Sequence, residues 1–354
     1  MTKLLLVCPA NTSQMPYLKN YIEVLISNGI QYDVLYWDRL SEEREGPLVY
    51  KDGKIGHQRG FYDYFNYSIY VKRLIKKHGF TKLIVFGIPL AFFLSRFLVK
   101  NYRDMFVIDI RDHHRLLCIF YNFGNLLSNS ALSVISSGGF LKWLPNNISY
   151  IINHNTSKTE LPPLRVKSDP IFNRNTISIS CIGSLKDIAI NRDLLTQADK
   201  KSLSYLQFNF HGDGVINDEL TNLAVKHPNL NINVTGRYYP SEERELYLKS
   251  DFINMFMSPD SINNNTCMSN RLYNSVLYGV PLLVLEGSYL SDIVLKYNLG
   301  MVFCSLDDFF DDFSSRISSF DLPLYEKGRY EFFKLVLDEN ACFRKSILKF
   351  VGCS

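Results

Sequence analysis

No CxxC pair occurs in this chain, and its seven cysteines (8, 118, 181, 267, 304, 342 and 353) are scattered and odd in number. That pattern argues against a disulfide framework or a zinc site and leaves reduced thiols in a cytosolic protein as the expectation. No apolar stretch reaches the ~18–20 residues needed to span a bilayer. The run Leu4–Val7 after Met1-Thr2-Lys3 is too short for a secretory leader, and a buried first strand is the better interpretation. Charge of one sign is not in excess: 39 Lys and Arg against 35 Asp and Glu give +4, which makes no case for a nucleic-acid partner. The G-x-G-x-x-G fingerprint is missing, and no acidic residue is placed to grip a dinucleotide ribose, which argues against a dehydrogenase. Short-period repeats and low-complexity tracts are missing too.

What is present is a globular composition, 46% apolar and 21% charged over 354 residues, enough for two buried cores. The apolar run Leu4–Val7, the loop Pro9–Ser13, a helical pattern at Tyr17, Tyr21, Val24 and Leu25 stopped by Gly29, and a second strand at Tyr32–Tyr36 open a parallel α/β sheet. Residues 48–55, with Asp52-Gly53 as the turn, are expected to form a hairpin. A helix over Phe61–His78 and strands at Lys82–Phe86, Met105–Asp109 and Ala131–Ile135 continue the rhythm of a doubly wound sheet. Residues 158–175 hold Pro162-Pro163 and Pro170 and no apolar period, so they are expected to be a linker. Strands then restart at Ile177–Ile182, Leu206–Phe210, Leu230–Val234, Phe252–Phe256 and Pro281–Leu285, and one or two helices close the chain over 325–350. The expected organisation is an N-terminal domain over 1–157, the linker, a second α/β domain over 176–324 and a helical tail over 325–354, possessing the reach to cross back to the first domain.

In open parallel sheets ligands bind beyond the carboxyl ends of the strands, so the residues just after each strand are the site candidates. Gly183-Ser184 follows a strand and precedes a helix, a place where backbone N–H groups can meet a phosphate, and Lys186 adds charge. Gly212 and Gly214 follow the next strand, and Thr235-Gly236-Arg237-Tyr238 the one after, where an arginine and a tyrosine suit a nucleotide's phosphate and base. The amide-rich segment 258–274 runs into a helix capped at Ser269 or Asn270, with Arg271 near its N-terminus and Asn274 one turn on, an arrangement that suits a diphosphate. In the first half, Asp109-Ile110-Arg111-Asp112-His113-His114-Arg115 ends a strand, and Asn11-Thr12-Ser13 ends another. Each of these stretches is also an ordinary turn or helix cap.

Taken in order, Gly183-Ser184, Gly212-x-Gly214, Thr235-Gly236-Arg237-Tyr238, Asn270-Arg271-Leu272-Tyr273-Asn274-x-x-x-Tyr278-Gly279-x-Pro281 and Tyr297-Asn298-Leu299-Gly300 resemble the C-terminal half of GT-B glycosyltransferases, above all those of bacterial capsule, exopolysaccharide and lipopolysaccharide synthesis. Residues 107–112, 133–145 and 150–155 resemble that family's N-terminal half, so the resemblance covers most of the chain. It implies an α/β fold of two Rossmann-like domains in tandem, facing across a cleft, with C-terminal helices. It implies a sugar transfer from a nucleotide-sugar donor, expected to be UDP-linked, with no metal and no other cofactor. Gly183, Ser184, Lys186, Gly212, Arg237, Tyr238, Asn270, Arg271 and Asn274 fall on the donor side. Asn11, Thr12, Asp109 and Arg115 fall on the acceptor side, and Asp112 or His113 is the base that takes the acceptor's proton. The implied acceptor is a lipid-diphosphate-linked glycan at the inner membrane surface, with the enzyme cytoplasmic and peripheral. Many retaining members carry two glutamates seven apart after the fourth strand of the second domain; this chain has Asn263–Asn265 and Asn270-Arg271 there, so the donor's sugar and ribose must be held another way.

The stretch Leu90–Arg103, including Phe92, Phe93, Phe97, Arg96, Lys100 and Arg103, is either a helix buried on the sheet or an interfacial helix assisted by Lys72, Arg73, Lys76 and Lys77. Two other functions remain open: a nucleotide-sugar epimerase of the same fold, which calls for a carboxylate pair not found here, and a non-catalytic binding module of a polysaccharide assembly complex.

Overall fold

The structure, a computed structural model, describes residues 3–43, 48–156, 158, 160–162, 176–258 and 260–352. Most of the expected linker therefore lies outside the described residues. The chain divides into two compact units, one of residues 1–157 with 336–354 and one of residues 158–335.

The first unit is built on a seven-stranded parallel sheet of β1 (Leu4–Val7), β2 (Tyr32–Trp37), β3 (Val49–Tyr50), β4 (Lys82–Phe86), β5 (Phe106–Ile110), β6 (Leu132–Ile135) and β7 (Tyr150–Ile152), in the order β3-β2-β1-β4-β5-β6-β7. Helices α1 (Leu18–Ser27), α2 (Phe61–His78), α3 (Ile88–Asn101) and α4 (Phe123–Ser128) connect the strands. The central strands are buried on both faces, as their unbroken apolar runs require; every residue of β1 and β5 is buried.

The hairpin expected over 48–55 does not form. Val49–Tyr50 instead adds to β2 as a parallel edge strand, Tyr36 opposite Val49 and Trp37 opposite Tyr50. The Asp52 carboxylate is taken by Arg59, which donates from Nε at 2.6 Å and Nη2 at 3.0 Å, and Tyr50 packs against Trp37 and Tyr67. The chain after Asp52 is thus pinned to the loop rather than returned along the strand. A further strand, β7, forms within residues 150–155, where no strand was expected. It is three residues long and half-buried throughout, so it carries no alternating signal.

The second unit holds a six-stranded parallel sheet of β8 (Ile177–Ile182), β9 (Leu206–His211), β10 (Asn231–Gly236), β11 (Phe252–Asn254), β12 (Leu282–Leu285) and β13 (Gly300–Phe303), in the order β10-β9-β8-β11-β12-β13. Its helices are α5 (Ile188–Lys200), α6 (Asn217–Lys226), α7 (Glu243–Lys249), α8 (Ile262–Thr266), α9 (Asn270–Tyr278), α10 (Tyr289–Tyr297) and α11 (Leu306–Ser318). The chain winds outward from β8 to β10, then returns to β8's other side to lay down β11 to β13. The switch point, where such sheets bind ligands, is therefore the gap between the carboxyl ends of β8 and β11.

The tail is one helix, α12 (Leu322–Val351), whose first part belongs to the second unit and whose last part belongs to the first. In the second unit it depends on Gly328, where a Cβ would sit 1.6 Å from the Tyr297 carbonyl oxygen. Beside it the fully buried Arg329 donates to the carbonyls of Val276 (2.5 Å) and Pro162 (2.7 Å) and to Glu326 (2.5 Å). In the first unit its Phe343, Ile347, Phe350 and Val351 join the core around β1 and α1. Gly328→Ala is expected to cost about 1–3 kcal/mol, as overpacking does, read as a lower urea midpoint at unchanged slope. An unchanged midpoint would show that α12 does not rest on the end of α10.

Candidate functional site

Arg271 stands on the first turn of α9, a helix whose N-terminus is capped by Ser269 Oγ accepting from the Arg271 N–H and whose apolar face, Leu272, Val276 and Leu277, is buried. That anchoring sends the Arg271 side chain into the switch point. Its Nε donates to the carbonyl of Ile182, the last residue of β8, at 2.7 Å and its Nη2 to the Ser184 carbonyl, just after β8, at 2.5 Å, while Nη1 lies 3.8 Å from Met255 Sδ, just after β11. The guanidinium is partly exposed. Among the described residues no carboxylate lies within ion-pair distance of it; its partners are two carbonyls and a thioether. A cation so placed at a helix N-terminus, with carbonyl dipoles but no counter-charge, draws an anion into the gap.

The loop that Arg271 grips is shaped by backbone contact. A Cβ at Gly212 would come 1.8 Å from the Gly183 carbonyl oxygen, and one at Gly214 2.0 Å from that of Leu185. The Gly183 N–H donates to the His211 carbonyl at 2.8 Å and the Leu185 N–H to that of Asp213 at 3.2 Å. Gly212 and Gly214 are thus explained by close approach of the two loops. Ser184 and Lys186 are exposed in the same loop. Next in the chain, Asp187 starts α5 in the left-handed region at φ 58°, a strained conformation for a non-glycine residue. Asn264 Nδ2 lies 3.4 Å from its Oδ2, and Asn191 Nδ2 donates to the carbonyls of Lys186 and Asp187.

Tyr238 and Asn274 lie in the neighbourhood of Arg271. Tyr238 donates to Glu243 at 3.0 Å, and burial, followed by the Glu243 charge, pushes its phenol up while Arg271 opposes that shift. Asn274 is bonded to the buried Tyr247, whose phenol also feels Arg271. Asn270, one residue from Arg271, opens α9. Arg237 is exposed just after β10, the edge strand of the sheet. The structure therefore brings Gly183, Ser184, Asn270, Arg271, Asn274 and Tyr238 to one end of the sheet and leaves Arg237 at its margin.

A carboxylate that sequence reasoning did not single out stands nearby. The Glu286 N–H donates to Phe303 at 2.9 Å, carrying the ladder past the end of β12. Its side chain lines a small depression with Asn264, Asn265 and Ser288. Met257, which follows β11, lines the same depression. A lone glutamate after a buried strand carries no sequence signal; only the folded sheet shows its place.

In the first unit the acceptor-side candidates separate. Asp109 is fully buried and accepts from Tyr21 Oη (2.5 Å), Arg111 Nε (2.5 Å) and Arg111 Nη2 (2.7 Å). Arg111 also donates to the Asn153 carbonyl at 3.0 Å and lies 4.0 Å over the Tyr17 ring. A carboxylate so enclosed meets no acceptor; it positions the strand end. Asn11 is likewise buried, donating to Asp38 at 2.7 Å and accepting from the N–H groups of Arg39 and Leu40, so it ties two loops together. Thr12 is exposed, and both its N–H and its hydroxyl donate to Glu43 at 2.7 Å. Asp112 and Arg115 are exposed. His113 is half-buried with its ring edge-on to Trp143, and burial lowers its pKa. His114 Nδ1 accepts from the Leu116 N–H, a cap rather than a base. The sequence pointed to Asp109 but not to the groups that hold it: Tyr21 comes from 88 positions away, and Arg111, two residues on, turns back onto the carboxylate under the Tyr17 ring, a side-chain direction the sequence does not show.

No protein-family model and no curated protein sequence matches this chain. Solved structures do match in fold. Anabaena Alr3699/HepE, in complex with UDP and glucose, superposes with a TM-score of 0.66 at 11% identity, over 99% of this chain and 100% of that one. Sucrose-phosphate synthase from Thermosynechococcus elongatus gives 0.66 at 11% identity, over 99% and 97%. WaaG, a glycosyltransferase involved in lipopolysaccharide biosynthesis, gives 0.60 at 10% identity, over 99% and 100%. The chain has the GT-B fold of two Rossmann-like domains in tandem with a helical C-terminus.

Asp109→Asn leaves the Arg111 guanidinium buried without its charge partner. The expected loss is about 3–5 kcal/mol of stability, measured by urea unfolding, whereas Tyr21→Phe, which removes one hydrogen bond, is expected to cost about 1–2 kcal/mol. Equal small losses for both would show that the carboxylate is not the anchor.

Proposed function

We propose that this protein is a glycosyltransferase that moves a hexosyl or related group from a nucleotide-sugar donor, UDP-linked, to a lipid-diphosphate-linked glycan in bacterial surface polysaccharide synthesis, working peripherally at the inner face of the cell membrane. The observation that carries this is the Arg271 guanidinium, held in the switch point of the second sheet without a counter-ion. The UDP and glucose bound to HepE, which shares the fold, support the donor class; the part of WaaG in lipopolysaccharide biosynthesis supports the acceptor class.

In this proposal the donor's diphosphate lies against Arg271, the N-terminal end of α9 and the Gly183-Ser184 loop, with Lys186 beside it. Tyr238 and Asn274 border the nucleoside. Asn264, Asn265 and Glu286 take the sugar's hydroxyls in place of the absent glutamate pair. The acceptor's hydroxyl oxygen attacks the anomeric carbon, the bond from that carbon to the diphosphate oxygen breaks, and the nucleoside diphosphate leaves with its new charge on Arg271. We assign no metal or cofactor to the step. The acceptor's proton passes to His113 or Asp112. His113 suits this because burial holds its imidazole below the ordinary value of 6.5, so it is neutral and able to accept a proton at pH 7.

Incubation with UDP-, GDP- and TDP-sugars, with and without a lipid-diphosphate glycan, tests the whole assignment. Acceptor-dependent release of free UDP is expected; isomer conversion of the donor would make the protein an epimerase, and silence in every arm a binding module. Arg271→Ala is expected to weaken UDP binding about 10–100-fold, the range of a lost charge-assisted hydrogen bond, while leaving uridine binding unchanged; equal affinity of variant and parent for UDP would remove Arg271 from the diphosphate. A depressed base stays deprotonated to lower pH, so with His113 in that role kcat/KM should hold its plateau below pH 6.5 and His113→Gln should abolish the acid limb. A limb untouched by that substitution would move the base to Asp112.

A further inference from the structure

One cavity of the first unit belongs to neither of these sites. It measures about 380 Å³ and opens between α2, α3 and the turn at 115–122, lined by Phe92, Phe93, Phe120 and Ile119 with Lys72 and Arg96. That volume falls within the ~300–1,000 Å³ range of small-molecule pockets.

Its walls come from one continuous aromatic cluster. Phe93 meets Phe61 at 4.7 Å and Phe92 at 5.0 Å between ring centroids, and Phe92 meets Phe120 at 5.0 Å. The inner stripe of α3, namely Leu90, Ala91, Leu94 and Leu98, is buried against the sheet. Its outer stripe, Phe92, Phe93 and Phe97, is only half-buried. The expectation of a helix buried on the sheet is met by the inner stripe, while Phe92 and Phe93 of the outer stripe line the cavity. Around the cavity large apolar side chains stay in solvent: Tyr121 is 91% exposed, Tyr62 78%, Ile119 50% and Phe61 49%. Leaving this much aromatic surface wet marks an interaction site rather than ordinary surface.

Charge selects the partner. Neither α3 nor the 115–122 turn contains an acidic residue, and α2 contains one, Asp63, which is ion-paired to Lys54. The cations are abundant: Lys72, Arg73, Lys76 and Lys77 on α2, and Arg96 and Lys100 on α3. Lys72 donates to the Phe93 carbonyl at 3.0 Å on the cavity wall, and burial lowers its pKa. Arg96 is exposed at the cavity and carries no ion pair among the described residues. A pocket that is aromatic within and cationic at its mouth fits a molecule with an apolar chain and an anionic head.

We propose that this pocket binds an anionic membrane lipid, its phosphate at Arg96 and Lys72 and part of its chain among Phe92, Phe93 and Phe120, so that the first unit docks on an anionic bilayer. This supplies the membrane contact in our proposed function and rests on that proposal only for its purpose. Vesicle binding is measured without donor or acceptor, and UDP binding without vesicles, so the two fail separately.

The full chain is to be sedimented with vesicles of phosphatidylcholine alone and of phosphatidylcholine with phosphatidylglycerol. Binding to the anionic vesicles that falls with salt is expected, with about ten-fold weaker partition for Arg96→Glu, as for the loss of a basic contact and its reversal. Ile119→Asp with Tyr121→Asp, both at exposed positions, should abolish binding even at low salt while UDP affinity and the unfolding midpoint stay unchanged. Tyr121→Trp gives a probe of the pocket: acyl chains brominated near the headgroup should quench the added emission. No binding of the parent chain to anionic vesicles, equal binding to neutral ones, or an unquenched probe would each overturn the proposal. Retained binding in the double aspartate variant would assign the interaction to surface charge alone and overturn the pocket as its seat.

Discussion

A guanidinium fastened by carbonyl oxygens but given no carboxylate is the feature on which the second unit's site turns. The carbonyls of Ile182 and Ser184 fix Arg271 at one lip of the β8–β11 gap and Met255 borders it on the other. Backbone dipoles orient the group without neutralising it. A partly buried unit charge left in that state favours any arrangement in which an anion enters. The surrounding design serves the same end: Ser269 caps α9 so that the helix begins at the gap, and Gly212 lets the loop after β9 press against the loop after β8.

The first unit solves the opposite problem. There Asp109 and Arg111 neutralise each other completely, and Tyr21, Tyr17 and the Asn153 carbonyl satisfy what remains. Enclosure makes that pair a frame for the strand end, with the exposed Asp112 and the half-buried His113 beyond it. The contrast between a balanced ion pair and an unbalanced cation separates scaffold from site more clearly than residue type does.

Much of the architecture was legible because parallel strands buried on both faces appear as plain apolar runs. The bounds of β4, β8 and α2 are those read from Lys82–Phe86, Ile177–Ile182 and Phe61–His78. The failures are edge elements. The segment after Asp52 has the chemistry of a hairpin turn, yet the Asp52 carboxylate is captured by Arg59 and the turn closes nothing. β7 is too short and too evenly half-buried to show a period. At the site, glycines and Arg271 stood out by their place after strands, but two of their roles changed: Gly212 answers to a neighbouring carbonyl, and Arg271 holds a loop as well as a charge. Asn11 and Asp109 looked like ligands because burial is not written in residue type. Glu286 was missed because its place shows only in the folded sheet.

The central claim is spatial, so a crystal structure with UDP tests it most directly. The account predicts the β-phosphate within hydrogen-bond distance of the Arg271 guanidinium and of an N–H at the start of α9, with the Gly183-Ser184 loop beside it. A nucleotide bound elsewhere on the second unit, with the Arg271 side chain still in place and no anion against it, would contradict the account.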